Sequence, residues 1–224
     1  MVQWDSVEQL EQYQLHQRND LPKLGTDSKL LAQFATLHRR EKVLDLGCGV
    51  GVLGVLLAQR QKELTLDGID IVPESAELAA YNLTANGLTG TIRQGDLNHC
   101  RQWAPRPGGY DLVISNPPYF QPGHGGDGGG ARQADCSLEE LCRTAARLLR
   151  NRGRFALCHR PERLAEVLDV LRAHRLEPKR LAFVKNRADA APWLFLVEAQ
   201  KNRKTGLRVE PDVLISAGAA LYGR

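Results

Sequence analysis

The chain has 224 residues, 42% hydrophobic and 25% charged, a balance that suits a folded domain and excludes a disordered, collagen-like or mucin-like polymer. Its formal net charge of +4, from 30 basic and 26 acidic residues, names no partner by itself, although arginine and lysine gather in the second half. No apolar run nears the roughly 20 residues of a membrane-spanning helix, and the N-terminus has neither the basic nor the apolar stretch of a secretory signal. The expected compartment is therefore the cytoplasm, with no membrane partner.

In chain order, residues 2–16 read as a short polar helix with Val7, Leu10 and Tyr13 on one face. It opens an N-terminal helical extension expected over residues 1–40. Residues 19–25 read as a linker. Thr26 or Asp27 is the expected N-cap of a helix whose apolar face is Leu30, Leu31, Phe34 and Ala35. A strand at 42–46 follows, then a helix at 52–60 and a strand at 64–69. Next come a helix at 74–85, stopped by Asn86-Gly87, and strands at 90–94 and 111–115. A helix at 138–149, a strand at 155–158, and a helix at 161–174 with Pro161 in its first turn lead to final strands at 180–184 and 193–199. Strands alternating with helices at these spacings predict a parallel sheet covered by helices. The last two strands have no helix-length segment between them and should pair as an antiparallel hairpin. The expected fold class is thus α/β. It is a Rossmann-like, mostly parallel seven-stranded sheet with a C-terminal antiparallel hairpin, in one domain over 1–224. Residues 121–130, QPGHGGDGGG, read as a mobile loop.

The five cysteines, Cys48, Cys100, Cys136, Cys142 and Cys158, form no CxxC pair, so reduced thiols and no metal site are expected. No pattern demands a dimer.

Chemistry concentrates at two strand ends. Asp45-Leu46-Gly47-Cys48-Gly49-Val50-Gly51 lies where the first core strand gives way to a helix. Glycines there allow a tight turn and a close ligand at the helix N-terminus. Two nucleotide-type cofactors compete for this turn. Gly49 to Gly54 matches GxGxxG with Asp70 at the end of the next strand, as a dinucleotide site would. Three details favour S-adenosylmethionine. Asp45 stands two before the first glycine, where a carboxylate meets an ammonium and repels a pyrophosphate. The glycines Gly47, Gly49 and Gly51 begin directly after the strand. Asp96-Leu97 follows the third strand, where an adenine amine needs an acceptor. Asp70 accepts from ribose hydroxyls in either reading, with Ile71 beside it.

The second strand end carries Asn116-Pro117-Pro118-Tyr119. An amine conjugated to a base or a carbonyl is a poor nucleophile, because its lone pair is delocalised. Acceptors at its two N–H groups pull it toward tetrahedral geometry and free that pair. Asn116 supplies a side-chain oxygen and Pro117 a backbone carbonyl. Tyr119, with Pro118 and Phe120 beside it, offers a flat surface for a planar substrate. The methyl then passes in line to the amine, with no general base and no metal, and positioning carries the catalysis.

The DLGCGVG, GID, GDL and SNPPY segments, in this order, resemble class I S-adenosylmethionine-dependent methyltransferases that act on amino groups. The flanks resemble one branch, the tRNA-valine adenine-N6 methyltransferases, which modify the adenine next to the anticodon. Leu24 to Leu31 looks like that family's GTDxxLL segment, Ala131-Arg132 like its AR element, and Gly153 through Leu164 like its GGRF…HRPERL stretch. The resemblance runs from about residue 21 to 215. It implies S-adenosyl-L-homocysteine as the product, tRNA as the partner, and Thr26 and Asp27 near the methionine end of the cofactor. Gln133-Ala134-Asp135 departs from the family's usual residues after AR. An RNA base must enter unpaired or flipped, with Arg132, His159, Arg160 and Arg163 expected on the RNA backbone. The alternatives are glutamine-amide methylation of a release-factor-like protein and another nucleic-acid N-methyltransferase, acting on DNA adenine or guanine N2. More remote are a non-catalytic module holding the cofactor or RNA, and an NAD-dependent oxidoreductase.

Overall fold

The computed structural model describes residues 2–104, 106–118 and 137–215; the expected loop at 121–130 lies outside them. After an N-terminal pair of strands, β1 (Ser6–Leu10) and β2 (Tyr13–Gln17), comes α1 (Thr26–Phe34). The core then runs β3 (Lys42–Leu46), α2 (Val52–Arg60), β4 (Thr65–Asp70), α3 (Pro73–Ala85) and β5 (Ile92–Gln94). A 3₁₀ turn (Leu97–His99) and the short α4 (Cys100–Trp103) lead to β6 (Tyr110–Ser115), α5 (Leu138–Leu148) and β7 (Leu149–His159). A second 3₁₀ turn (Pro161–Arg163), α6 (Leu164–Ala173), β8 (Leu176–Lys185), β9 (Leu194–Lys201) and the two-residue strands β10 (Arg208–Val209) and β11 (Val213–Leu214) follow.

The main sheet has the order β10-β8-β9-β7-β6-β3-β4-β5, with β11 also on β8. Among the described strands of this sheet, only β9 runs antiparallel to its neighbours, β7 and β8. The seven long strands are those expected, and the α/β class holds. The two edge strands β10 and β11, parallel to β8, are an addition the sequence did not suggest. Strand side chains alternate between two cores, as the two-residue period of a strand requires. Val43, Leu112, Ile114, Ala156 and Leu196 face α1, α2 and α3. Leu44, Val113, Phe155, Leu157 and Val197 face α5 and α6. A sheet covered on both faces explains why its strands read as continuous apolar runs.

Two local expectations are corrected. Residues 2–16 are not a helix: β1 and β2 form an antiparallel hairpin with Leu10 opposite Tyr13. The three-residue spacing of Val7, Leu10 and Tyr13 imitates a helical face, and no glycine or Asx marks the turn, where Glu11 takes φ 50. The hairpin is fixed by α3. Asn86 Oδ1 accepts from Gln14 N at 2.8 Å and Asn86 Nδ2 donates to Gln14 O at 2.7 Å. One helical turn earlier, Asn82 Oδ1 accepts from His16 N at 2.9 Å and Nδ2 donates to His16 O at 3.0 Å. Two carboxamides four residues apart thus imitate a neighbouring strand, each meeting one residue's N–H and C=O as a ladder partner would. The second correction concerns α1, whose N-cap is Gly25, extended and without a side-chain cap. Thr26 is instead the first helical residue, and Asp27 sits in the first turn, where its charge suits the helix dipole.

Asn82 is fully buried and also donates to Val50 O at 2.9 Å, so it joins the hairpin to the glycine turn. Asn82→Ala should leave buried backbone groups without partners and destabilise the protein by about 2–4 kcal/mol, lowering the melting temperature by at least about 5 °C. Calorimetry that found an unchanged melting temperature would contradict this anchoring.

Candidate active site

The chain runs from β3 to β4 to β5 on one side of the sheet, and from β6 to β7 on the other. β3 and β6 are neighbours, with Asp45 opposite Ile114. Their carboxyl ends therefore meet at the topological switch point, where open α/β sheets bind ligands. Ser115 Oγ donates to Leu46 O at 2.7 Å and holds the two ends together.

Beyond Leu46 the chain turns through Gly47, Gly49 and Gly51, with φ of 73°, 52° and 86°, conformations that only glycine adopts without strain. A Cβ on Gly51 would also lie 3.3 Å from the Cβ of Ala79 on α3. Asp70, at the end of β4, does more than the sequence suggested. Its Oδ2 accepts from Gly49 N at 2.8 Å and its Oδ1 from Val72 N at 2.9 Å. One carboxylate thus ties the glycine turn to the start of α3. Ile71 beside it is 42% exposed, an apolar surface at the rim.

Asp45 is buried at the foot of this turn, and its Oδ1 has no hydrogen-bond partner. Burial, and then the charge of Asp70, push its pKa up to about 8. Burial likewise raises the Cys48 thiol far above its usual range. A buried carboxylate oxygen without a donor suits a donor or cation brought by a ligand, so the residues fit a methionine-type ammonium head group. On the far side, Asp96 Oδ1 accepts from Asn98 N at 2.8 Å and caps the 3₁₀ turn that Leu97 opens. Asp96 therefore has a structural role at the place where an adenine acceptor was expected.

Asn116 follows β6 directly, and two elements hold its carboxamide. Nδ2 donates to Ser28 Oγ in the first turn of α1 at 3.1 Å. Oδ1 accepts from the Cys158 thiol on β7 at 3.0 Å. Pro117 is half-buried and Pro118 exposed. Tyr119, Phe120 and Arg132 lie outside the described residues. Ser28 and Cys158 were not singled out by sequence. Ser28 directly follows the expected cap residues Thr26 and Asp27, and nothing in the cysteine pattern marks Cys158.

Two expected phosphate contacts differ in kind. His159 is buried, stacks on Phe195, and accepts at Nδ1 from Arg160 N at 2.8 Å. Burial, reinforced by Arg163, lowers its pKa to about 4. It is neutral near pH 7, where an imidazole can meet a phosphate by a hydrogen bond and not by an ion pair. Arg160 lies at the rim, donates to Trp193 O at 3.1 Å and sits over the Trp193 ring. Arg163 pairs with Glu166.

Asp45 also gives a stability prediction. Its folded pKa lies above the ordinary 3.8. The corresponding stability is complete below about pH 4 and lost as pH rises through about 8. Between about pH 5 and pH 8 the ligand-free protein should lose more thermal stability than Asp45→Asn does. Parallel losses would contradict a protonated Asp45.

Comparison with known proteins agrees with this geometry. The family model for the methyltransferase small domain matches residues 22–174. A tRNA1(Val) (adenine(37)-N6)-methyltransferase from Parabacteroides distasonis is 33% identical over 79% of this chain and 76% of its own length. Proteins of the same name from Dickeya chrysanthemi and Yersinia enterocolitica are 36% and 37% identical over 60% and 45% of this chain, and the match spans 55% and 40% of their lengths. Among solved structures, a protein described as a predicted O-methyltransferase from Agrobacterium tumefaciens superposes with a TM-score of 0.72 at 21% identity, over 87% of this chain and 90% of that one. Geranyl diphosphate C-methyltransferase from Streptomyces coelicolor gives 0.59 at 13% identity, over 78% of each chain. These structural likenesses share the fold alone. With two-thirds of its length inside the family model, and a relative at 33% identity matched over most of both chains, this chain belongs to the methyltransferase small-domain family, beside the tRNA1(Val) (adenine(37)-N6)-methyltransferases.

Proposed function

We propose that this chain transfers a methyl group from S-adenosylmethionine to the exocyclic N6 amine of an unpaired adenine in tRNA, next to the anticodon. The observation that carries the reading is the placement of Asn116-Pro117 at the end of β6, beside the glycine turn at the end of β3. The tRNA and its position follow the names of the relatives. Residues 1–224 are taken as one catalytic domain. Its expected place is the cytoplasm, and no described helix is long and apolar enough to cross a membrane.

In this reading Asp45 receives the ammonium end of the cofactor, near Thr26. The backbone at Gly47, Gly49 and Gly51 lies against it. Asp70 and Ile71 hold the ribose and the face of the base, and Asp96-Leu97 meets the adenine. When bound, the cofactor supplies an electrophilic methyl group on a sulfonium. The protein's own contribution is at the amine. Asn116 Oδ1 and the Pro117 carbonyl accept its two N–H groups, which turns the lone pair toward the methyl. Tyr119, Pro118 and Phe120 stack the flipped base, and Arg132 and Arg160 meet the RNA backbone. His159 stays neutral beneath Arg160.

Transfer of labelled methyl into separate pools of unmodified tRNA, rRNA, duplex DNA and release factor, followed by digestion, tests the reading. Label should appear as N6-methyladenosine from tRNA; label in glutamine, in guanine or in another pool would replace the substrate. Asn116→Ala should abolish transfer while cofactor affinity stays nearly unchanged, and equal loss of both would remove its role. Asp70→Ala should weaken cofactor binding by about 1–3 kcal/mol in calorimetry. Unchanged affinity would take Asp70 out of the site.

A further inference from the structure

We infer that Ser28 and Cys158 are positioning residues that lock the Asn116 carboxamide in the one orientation that offers its oxygen to the substrate amine. The inference deepens the function proposed above and rests on it. An asparagine amide can be turned over with little change of shape, exchanging an acceptor for a donor. At this site the exchange is decisive: an N–H pointed at the incoming amine would repel its protons and leave the lone pair delocalised.

The two contacts come from separate elements. Ser28 is buried in the first turn of α1 and Cys158 is fully buried on β7. Their polar atoms lie 3.1 Å from Nδ2 and 3.0 Å from Oδ1. Ser28 alone does not choose the orientation, because a hydroxyl both accepts and donates. Cys158 does choose. A thiol proton is drawn to the amide oxygen, which is a good acceptor, whereas neutral sulfur is a weak acceptor for an amide N–H. Turning the amide over would exchange the thiol's hydrogen bond for a poorer N–H contact on sulfur. The amide oxygen has two lone pairs, so accepting from a weak thiol donor is compatible with accepting from a substrate N–H as well. Burial keeps the thiol out of solvent, and no titration is involved.

Steady-state methyl transfer into tRNA transcripts tests this on wild type, Cys158→Val, Cys158→Ser and Ser28→Ala, with cofactor dissociation constants measured alongside. Cys158→Val keeps the volume and removes the donor. It should lower kcat by about tenfold or more, in line with the penalty for small misplacements at a reacting centre, while tRNA KM and cofactor affinity stay within about twofold. Cys158→Ser restores a donor and should recover most of that kcat. It should remain below wild type, because a hydroxyl also tolerates the reversed amide. Ser28→Ala removes the acceptor of Nδ2 and should show a smaller kcat-only loss; if Cys158→Val fails to fold, Cys158→Ala decides the question. Wild-type kcat in both Cys158→Val and Ser28→Ala, losses confined to KM or cofactor affinity, or a serine at 158 no better than valine would overturn the inference. Failure of the proposed function reads differently: wild type itself would then place no methyl on tRNA adenine.

Discussion

The hydroxyl of Ser115 donates to the carbonyl of Leu46 at 2.7 Å, at the point where β6 and β3 stop running side by side. Beyond it the two chains separate. One turns through left-handed glycines toward α2, and the other delivers Asn116 and two prolines. Everything attributed to the carboxyl edge depends on these two ends staying level, because a group-transfer site needs its donor and acceptor halves held within a fraction of an ångström. The constraint is reinforced on both sides. Asp70 binds the glycine turn to α3, and Ser28 and Cys158 bind Asn116 to α1 and β7.

The same edge shows how burial does chemical work. Asp45 lies under the turn with an unpartnered oxygen and a pKa near 8. A carboxyl in that state gains most from a cation placed beside it, which couples ligand binding to folding stability. His159 is the converse case: burial, with the nearby charge of Arg163, lowers its pKa to about 4. The described cysteines are buried. One of them, Cys158, donates to Asn116 Oδ1.

Much of this was legible in the sequence, for physical reasons that can be named. Strands β3, β4 and β6 are buried on both faces, so they stand out as short apolar runs bounded by glycine, Asp and Asn. The glycine turn and Asn116-Pro117 carry their geometry in their composition. What escaped depends on distant partners. The β1–β2 hairpin has no turn signal of its own and exists because Asn82 and Asn86 complete its ladder from α3. The opening of β7 was hidden by exposed Arg150 and Arg152, the latter at φ 63. Pro178 concealed the start of β8, which pairs with β9 through a register shift at that residue. Ser28 and Cys158 are ordinary residues whose importance lies in converging on one amide, which no local pattern encodes.

A crystal structure with S-adenosylhomocysteine bound tests the central claim most directly. The account predicts the ammonium of the homocysteine at Asp45, the ribose hydroxyls on Asp70, the base between Ile71 and Asp96-Leu97, and the sulfur facing Asn116, whose amide still accepts from Cys158. A ligand bound away from the glycine turn, or a sulfur directed away from Asn116, would contradict it.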